Sequence, residues 1–390
     1  MNIANPEKRA TASQHAEVMN DYMKEGVRQA NSLGNRGPIR YDSEGNLHRD
    51  ILDSYWEHGF YVFEKVILDK ELKELRADME RVRKEAEAPG SDIDADKNGE
   101  VSTPHNGFTK PSYRFAKPLS DPVGGTSKNG GRHPVKMETP EASGKAPKWV
   151  LQNLNGNLQL MDSCLRLYGH PGLLSIAAAI NGPDFVPYNE VTFIKEPGLG
   201  PSVAWHQDGL THWDSPDWDQ GAHGFNFMAQ LYPSTAGNAV WVLPGSHKMG
   251  KLDIARQVTE SGSERLSGAV PLLSGAGDVI VNNRQMLHGS FANTSKDLRI
   301  TLNEGFFPRA RVLNVKTTNI FDGKEELYDE ERIVKRTGII ALAIDARRQH
   351  FPAETSYVYQ PLVGHEDQFR WSQESRETIL KDYNLSDMYI

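Results

Sequence analysis

Residues 277–303 read GDVIVNNRQMLHGSFANTSKDLRITLN, and the reading of this stretch decides the fold. Val279-Ile280-Val281 is a short β-branched run entered through Gly277-Asp278, as expected of a strand that follows a turn. In Arg299-Ile300-Thr301-Leu302-Asn303 polar and apolar residues alternate. Arg299, Thr301 and Asn303 therefore share one face of a strand, and Ile300 and Leu302 the other. Between the two strands His288 stands before Gly289, where a backbone without a side chain can approach a site closely. Similar runs come earlier, at 191–194, 225–228 and 239–243. Short strands parted by turn residues, with no helices alternating between them, predict an antiparallel barrel or double-sheet jelly roll.

Outward from this β region the period changes. Leu72, Leu75, Met79 and Val82 recur at three- and four-residue steps and mark one apolar helix face. Asp69 is the expected N-cap of that helix and Pro89-Gly90 its end. A helix-rich segment at 165–181 closes at Gly182-Pro183. Residues 1–50 read as an N-terminal helical arm. Residues 89–147, rich in Gly, Pro, Ser, Asp and Asn, read as an excursion outside the core. Between 101 and 148, eight basic residues (Lys110, Arg114, Lys117, Lys128, Arg132, Lys136, Lys145 and Lys148) face three acidic ones (Asp121, Glu138 and Glu141). The segment is either a solvated loop or a lid over an anionic substrate. After residue 310, a charged helix at 324–335, an apolar run at 339–344 and an aromatic tail make up a C-terminal extension.

Composition narrows the function. The 390-residue chain carries 44 Lys and Arg against 52 Asp and Glu, a net charge of −8, which argues against nucleic-acid binding. Its single cysteine, Cys164, excludes an intrachain disulfide framework and any cysteine-cluster metal site; a small buried apolar residue is its simplest role. The N-terminus lacks the apolar core of a signal peptide, and no apolar run is long enough to span a membrane. The expectation is a cytoplasmic protein with no membrane association.

The chemistry starts at Trp205-His206-Gln207-Asp208. In an extended segment His206 and Asp208 project to one side, offering a nitrogen and an oxygen ligand to an ion such as Fe(II). His288 adds a second imidazole. Two histidines and one carboxylate make a facial triad, which leaves positions open for a cosubstrate and dioxygen. Arg299, on a neighbouring strand, needs a partner if it faces inward. A structural pair with Glu304 is one candidate; the far carboxylate of a keto acid chelating the iron is the other.

These segments fall in a familiar order. Trp56-Glu57-His58-Gly59-Phe60-Tyr61-Val62-Phe63 comes first, then Phe193-Ile194-Lys195-Glu196-Pro197-Gly198 and Trp205-His206-Gln207-Asp208. Val242-Leu243-Pro244-Gly245-Ser246-His247-Lys248 follows, and last the stretch from Gly277 through His288-Gly289-Ser290 to Arg299. In this order the chain resembles the phytanoyl-CoA dioxygenase family of Fe(II)/2-oxoglutarate oxygenases, over residues 50–308 without the 89–147 insertion. The resemblance implies a mainly β fold with flanking helices, a double-stranded β-helix (jelly roll, cupin-like). It implies a catalytic domain at 51–310 with a lid-like insertion at about 89–147, and an extension at 311–390 packed on it; the oligomeric state stays open, with this extension a candidate homodimer contact.

It also implies His206, Asp208 and His288 as iron ligands and Arg299 as the anchor of the 2-oxoglutarate C5 carboxylate. Ser290 matches a position that contacts 2-oxoglutarate, and Phe227 one where relatives carry Trp beside it. Related halogenases have a small residue in place of Asp208, so this carboxylate favours oxygenation. The family's Asn-Gly turn stands here reversed, as Gly237-Asn238. The implied activity is hydroxylation, or another oxidation, of an aliphatic C–H of a small organic substrate by dioxygen, with release of succinate and CO2. A non-catalytic 2-oxoglutarate-binding sensor or scaffold is the alternative.

Several other residues have plainer readings. His247 is expected to hold its loop. His212 and His223 are either exposed loop histidines or substrate contacts. Trp205, Trp213, Trp218 and Trp241 are packing residues or pocket walls. Lys195 is either a surface lysine or a residue at the mouth of the site.

Overall fold

A computed structural model of the protein describes residues 10–90, 99–104, 111–318, 324–381 and 383. Among the described residues, thirteen strands build the two main sheets: β1 (Arg36–Gly37), β2 (Phe60–Phe63), β3 (Glu100–Pro104), β4 (Pro111–Ala116), β5 (Val150–Asn155), β6 (Val186–Lys195), β7 (Val203–His206), β8 (Phe225–Gln230), β9 (Trp241–Val242), β10 (Val270–Pro271), β11 (Val279–Asn283), β12 (His288–Ser290) and β13 (Arg299–Phe307). The large sheet has the order β1-β2-β11-β8-β13-β6-β5-β4-β3 and the small one β10-β9-β12-β7. All pairs are antiparallel except β1 with β2. The fold is the jelly roll expected from the short strands.

The two faces of the large sheet follow from the period of two. On β8, Phe225, Phe227 and Ala229 join a core with the helical residues Leu75, Tyr168, Leu174 and Ile340. Met228 instead packs with Val62, Ile280, Val242 and Met286, in the space between the sheets. One face is therefore roofed by helices, and the other looks toward the small sheet.

The helix α1 (Ala12–Ser32) starts at a capping box in which Thr11 and Gln14 bond each other's backbone. It lies against the small sheet, where Tyr22 stacks on Trp241 with centroids 4.6 Å apart. At Gly26 an added Cβ would lie 2.5 Å from two atoms of the Trp241 ring. Ala normally improves a helix over Gly by about 1 kcal/mol. Gly26→Ala is expected to do the reverse, because overpacking costs about 1–3 kcal/mol; a lowered urea midpoint would show it.

The helix α2 (Arg49–His58) leads into β2, and α3 (Asp69–Glu85) buries Leu72, Leu75, Met79 and Val82 as their spacing requires. Its N-cap is Leu68, not Asp69. The Asp69 carboxylate sits in the first turn, where the helix dipole favours it. The apolar run at 339–344 belongs to one 21-residue helix, Glu330–His350, that also holds much of the charged stretch. Its Arg347 ties it to α3 through Glu71, at 2.6 Å.

The 89–147 segment departs from the expected excursion. Two of its strands extend the large sheet, and Tyr113, Phe115, Ala116 and Leu119 are buried. Aromatics at alternate positions supply the burial that the shortage of aliphatics had concealed. Of its basic residues, Lys110 lies outside the described ones. Among the described residues no helix is long and apolar enough to cross a membrane.

Candidate active site

The pairing of β7 with β12 sets His206 directly opposite His288. Gly289 permits this approach: a Cβ there would stand 3.1 Å from the Val203 carbonyl oxygen and 3.2 Å from the Trp205 Cα. Gln207 points the other way. Its Nε2 donates to the carbonyls of Gly250 and Gln285 at 2.9 and 2.7 Å, and its Oε1 accepts from the Leu252 N–H. His206 and Asp208 are thus left on one side, as the alternation predicts.

Both imidazoles are oriented by backbone. His206 Nδ1 lies 2.8 Å from the Ala204 carbonyl oxygen and His288 Nδ1 2.8 Å from that of Met286. A carbonyl can only accept, so each Nδ1 carries the proton and each Nε2 presents a lone pair, the form a metal needs. His206 Nε2 is 3.5 Å from Asp208 Oδ1, and His288 Nε2 is 4.0 Å from Asp208 Oδ2. The three ligand atoms lie within 4.8 Å of one another. Burial, and then the neighbouring His206, push the His288 imidazole down to about 3, keeping it neutral.

Burial alone would raise the Asp208 carboxyl. Arg132, and then Arg284, outweigh it and hold the group well below the usual carboxylate range. Arg132 Nη1 lies 3.0 Å from Oδ1, Arg284 Nε 3.6 Å from Oδ2, and Asn226 Nδ2 donates to Oδ2 at 3.4 Å. The Arg284 guanidinium also covers the Tyr188 ring at 3.8 Å.

Arg299 stands on the inner face of β13. Its Nη1 donates to the Asn238 carbonyl oxygen at 2.8 Å, while its Nε is buried without a partner. No carboxylate among the described residues pairs with it. Glu304 occupies the other face of the strand, across from Glu190 and Phe227. Burial pushes the guanidinium down to about 10. An orphaned fork donor on the face of the large sheet that looks toward the strands of His206 and His288 fits the far carboxylate of 2-oxoglutarate, as the triad's donor set fits Fe(II). The reversed Gly237-Asn238 turn serves this arrangement, since Asn238 Oδ1 caps the Thr235 N–H at 2.9 Å and its carbonyl meets Arg299.

Ser290 is buried on β12, opposite Val203 and beyond a register shift after His288. Phe227 requires a correction. Asn226 reaches Asp208, so the next side chain along β8 points away, and Phe227 packs against Phe225 and Phe306 beneath the helices. Alternation in the sequence defines two faces of β8 but does not say which one is inner.

Other polar candidates prove structural. Lys195 is buried, with its Nζ donating to the carbonyls of Pro201 and Phe291. His223 is fully buried rather than exposed, its Nε2 on the Thr211 carbonyl; His212 Nε2 meets the Arg311 carbonyl at 2.8 Å. His247 fastens its turn to the Trp56 carbonyl at 3.1 Å. Trp205 and Trp241 pack in the core beneath α1.

Sequence reasoning missed Arg132, His133, Arg284 and Asn226 as site residues. Arg132 was visible only as one of eight charges. His133 is buried beside His206, with ring centroids 4.2 Å apart. Arg284 sits within the opening stretch, but nothing in its spacing ties it to Asp208.

Three histidines outside the triad predict an acid-sensitive fold. Burial pushes His170 to about 3 and both His223 and His247 to about 4, from an ordinary 6.5. The unfolded chain therefore binds more protons than the folded one below pH 6.5, and stability falls as pH falls toward those folded values. Each group removes about 1.4 kcal/mol per pH unit in that window. Urea midpoints measured from neutral to acid pH should drop, and less steeply in His247→Gln.

Comparison with known proteins agrees with this geometry. The family model described as phytanoyl-CoA dioxygenase (PhyH) matches residues 55–301. A phytanoyl-CoA dioxygenase of Arabidopsis thaliana is 24% identical over 270 residues, covering 65% of this chain and 87% of that protein. Among solved structures, EctD from S. alaskensis with 2-oxoglutarate and 5-hydroxyectoine aligns at 15% identity and a TM-score of 0.46, covering 71% of this chain and 82% of that one. AviO1 from Streptomyces viridochromogenes Tue57 aligns at 21% identity and a TM-score of 0.42, covering 66% and 94%. A two-histidine, one-carboxylate centre on a jelly roll defines a non-haem iron oxygenase. The chain belongs to the phytanoyl-CoA dioxygenase family. The donor set of its triad fits Fe(II).

Proposed function

We propose that the protein hydroxylates an unactivated aliphatic C–H of a small, anionic organic substrate, with 2-oxoglutarate converted to succinate and CO2. The observation that carries this reading is Arg299, buried on the inner face of β13 with an orphaned Nε and no carboxylate partner among the described residues. A structural arginine would have an acid; a cosubstrate anchor leaves that place to its ligand. The presence of all three triad ligands favours turnover over a sensor or scaffold role.

His206 and His288 would hold the iron through Nε2, and Asp208 through its carboxylate. Arg299 would hold the far carboxylate of 2-oxoglutarate, with Ser290 beside it. Iron, 2-oxoglutarate and dioxygen together supply, when bound, the oxidising power to break an aliphatic C–H bond. The protein's share is positioning and the exclusion of water. The backbone carbonyls of Ala204 and Met286 fix the imidazole rings, and Arg132, Arg284 and Asn226 keep the carboxylate ionised and oriented.

The test is a panel of small organic acids incubated with Fe(II), 2-oxoglutarate and air. Formation of succinate together with a product heavier by one oxygen supports hydroxylation. A product lighter by two hydrogens would replace it with desaturation or ring closure.

A further inference from the structure

The insertion places two side chains over the metal site that the triad and Arg299 do not account for. Asp121 clasps the segment, accepting from the N–H groups of Gly124 and Met137 at 2.9 and 2.7 Å, and the Gly125 N–H donates to the His133 carbonyl. The loop so fixed presents Arg132 and His133 to the triad. Arg132 uses Nη1 on Asp208, while its Nε is buried with no partner. His133, on the ring of His206, has a buried Nδ1 with no partner. Two orphaned polar groups side by side at a metal centre call for a polar ligand.

Charge decides which kind. Arg132 and Arg284 face one carboxylate, Asp208. A divalent ion and dianionic 2-oxoglutarate offset one another, so the guanidiniums remain in excess. The free edge of Arg132 has the fork geometry that binds carboxylate or phosphate oxygens in pairs. Lys128, nearby in the sequence, is already paired with Glu100 at 2.6 Å and does not share this duty.

We propose that Arg132 and His133 form the subsite that receives the anionic group of the substrate, a carboxylate or phosphate, so that the carbon oxidised lies within a few atoms of that group. The inference rests on the oxygenase reading and names the residues that select its substrate.

The experiment measures succinate release by the Fe(II)-loaded protein with carboxylic acids, amino acids and phosphate monoesters, each beside its neutral amide or alcohol. Acids or phosphates should stimulate and their neutral partners should not. Arg132→Lys, which keeps the charge but loses the fork, should lower that response about tenfold, while 2-oxoglutarate affinity of the Mn(II)-loaded protein, read by calorimetry, stays within about threefold. His133→Phe, which keeps a ring against His206, should lower the response as well. Stimulation by neutral compounds as strong as by acids overturns the proposal, as does a panel in which no anion stimulates. An equal loss of 2-oxoglutarate affinity in Arg132→Lys also overturns it, assigning Arg132 to the cosubstrate. Failure of the Mn(II)-loaded wild type to bind 2-oxoglutarate overturns the oxygenase reading itself, and the subsite with it.

Discussion

Arg299→Leu is expected to weaken 2-oxoglutarate binding by about thirtyfold or more while leaving the melting temperature of the ligand-free protein unchanged or raised. The two halves of this result have one cause. Removing one member of a buried, hydrogen-bonded charge pair costs about 2–5 kcal/mol, which is about thirtyfold to several thousandfold in affinity. In the protein alone that pair does not exist, because Arg299 has one backbone carbonyl and no carboxylate among the described residues. Replacing a buried, unpaired charge with an apolar side chain relieves desolvation and does not destabilise. Calorimetry with the Mn(II)-loaded protein reads the first half and thermal unfolding the second. A structural arginine would give the opposite pattern, with a large loss of stability and little change in affinity.

Asp208→Ala should abolish metal binding and also lower stability by about 3–5 kcal/mol, the usual result of stranding a buried charge. Arg284 is the group left stranded. Its Nε points to Asp208 Oδ2, its Nη1 donates to the His223 carbonyl, and its burial is nearly complete. His206→Ala should lose metal equally but keep more of the stability, since it removes a ligand without removing a counter-charge. Comparing the two variants by urea unfolding without metal separates the carboxylate's structural work from its ligation. Equal stability in the two would contradict the assignment of Arg132 and Arg284 as its counter-ions.

Much of the site was legible because strand alternation is a local rule. His206 and Asp208 face one way and Gln207 the other, and Arg299 shares a face with Thr301, so the facing of these side chains could be read from spacing, while their roles came from the order of the motifs. The phase of β8 was not legible. Phe227 and Asn226 differ by one residue, and only the packing of helices on one side of the sheet tells inner from outer. Arg132 and His133 escaped for a different reason. They reach the triad through a loop clasped by Asp121, and such a long-range closure leaves no periodic trace. The same holds for the 89–147 segment, whose buried Tyr113 and Phe115 pair with a strand more than thirty residues away. The C-terminal helix failed in the opposite sense: its charged and apolar stretches differ in composition but share one continuous backbone.

The most direct test of the whole account is succinate formation from 2-oxoglutarate under air with added Fe(II), wild type beside His206→Ala. Succinate from the wild type and none from the variant is the predicted result, since slow turnover without the true substrate needs only the triad and Arg299. Equal succinate from both proteins, or a wild type that binds neither iron nor 2-oxoglutarate, would contradict it.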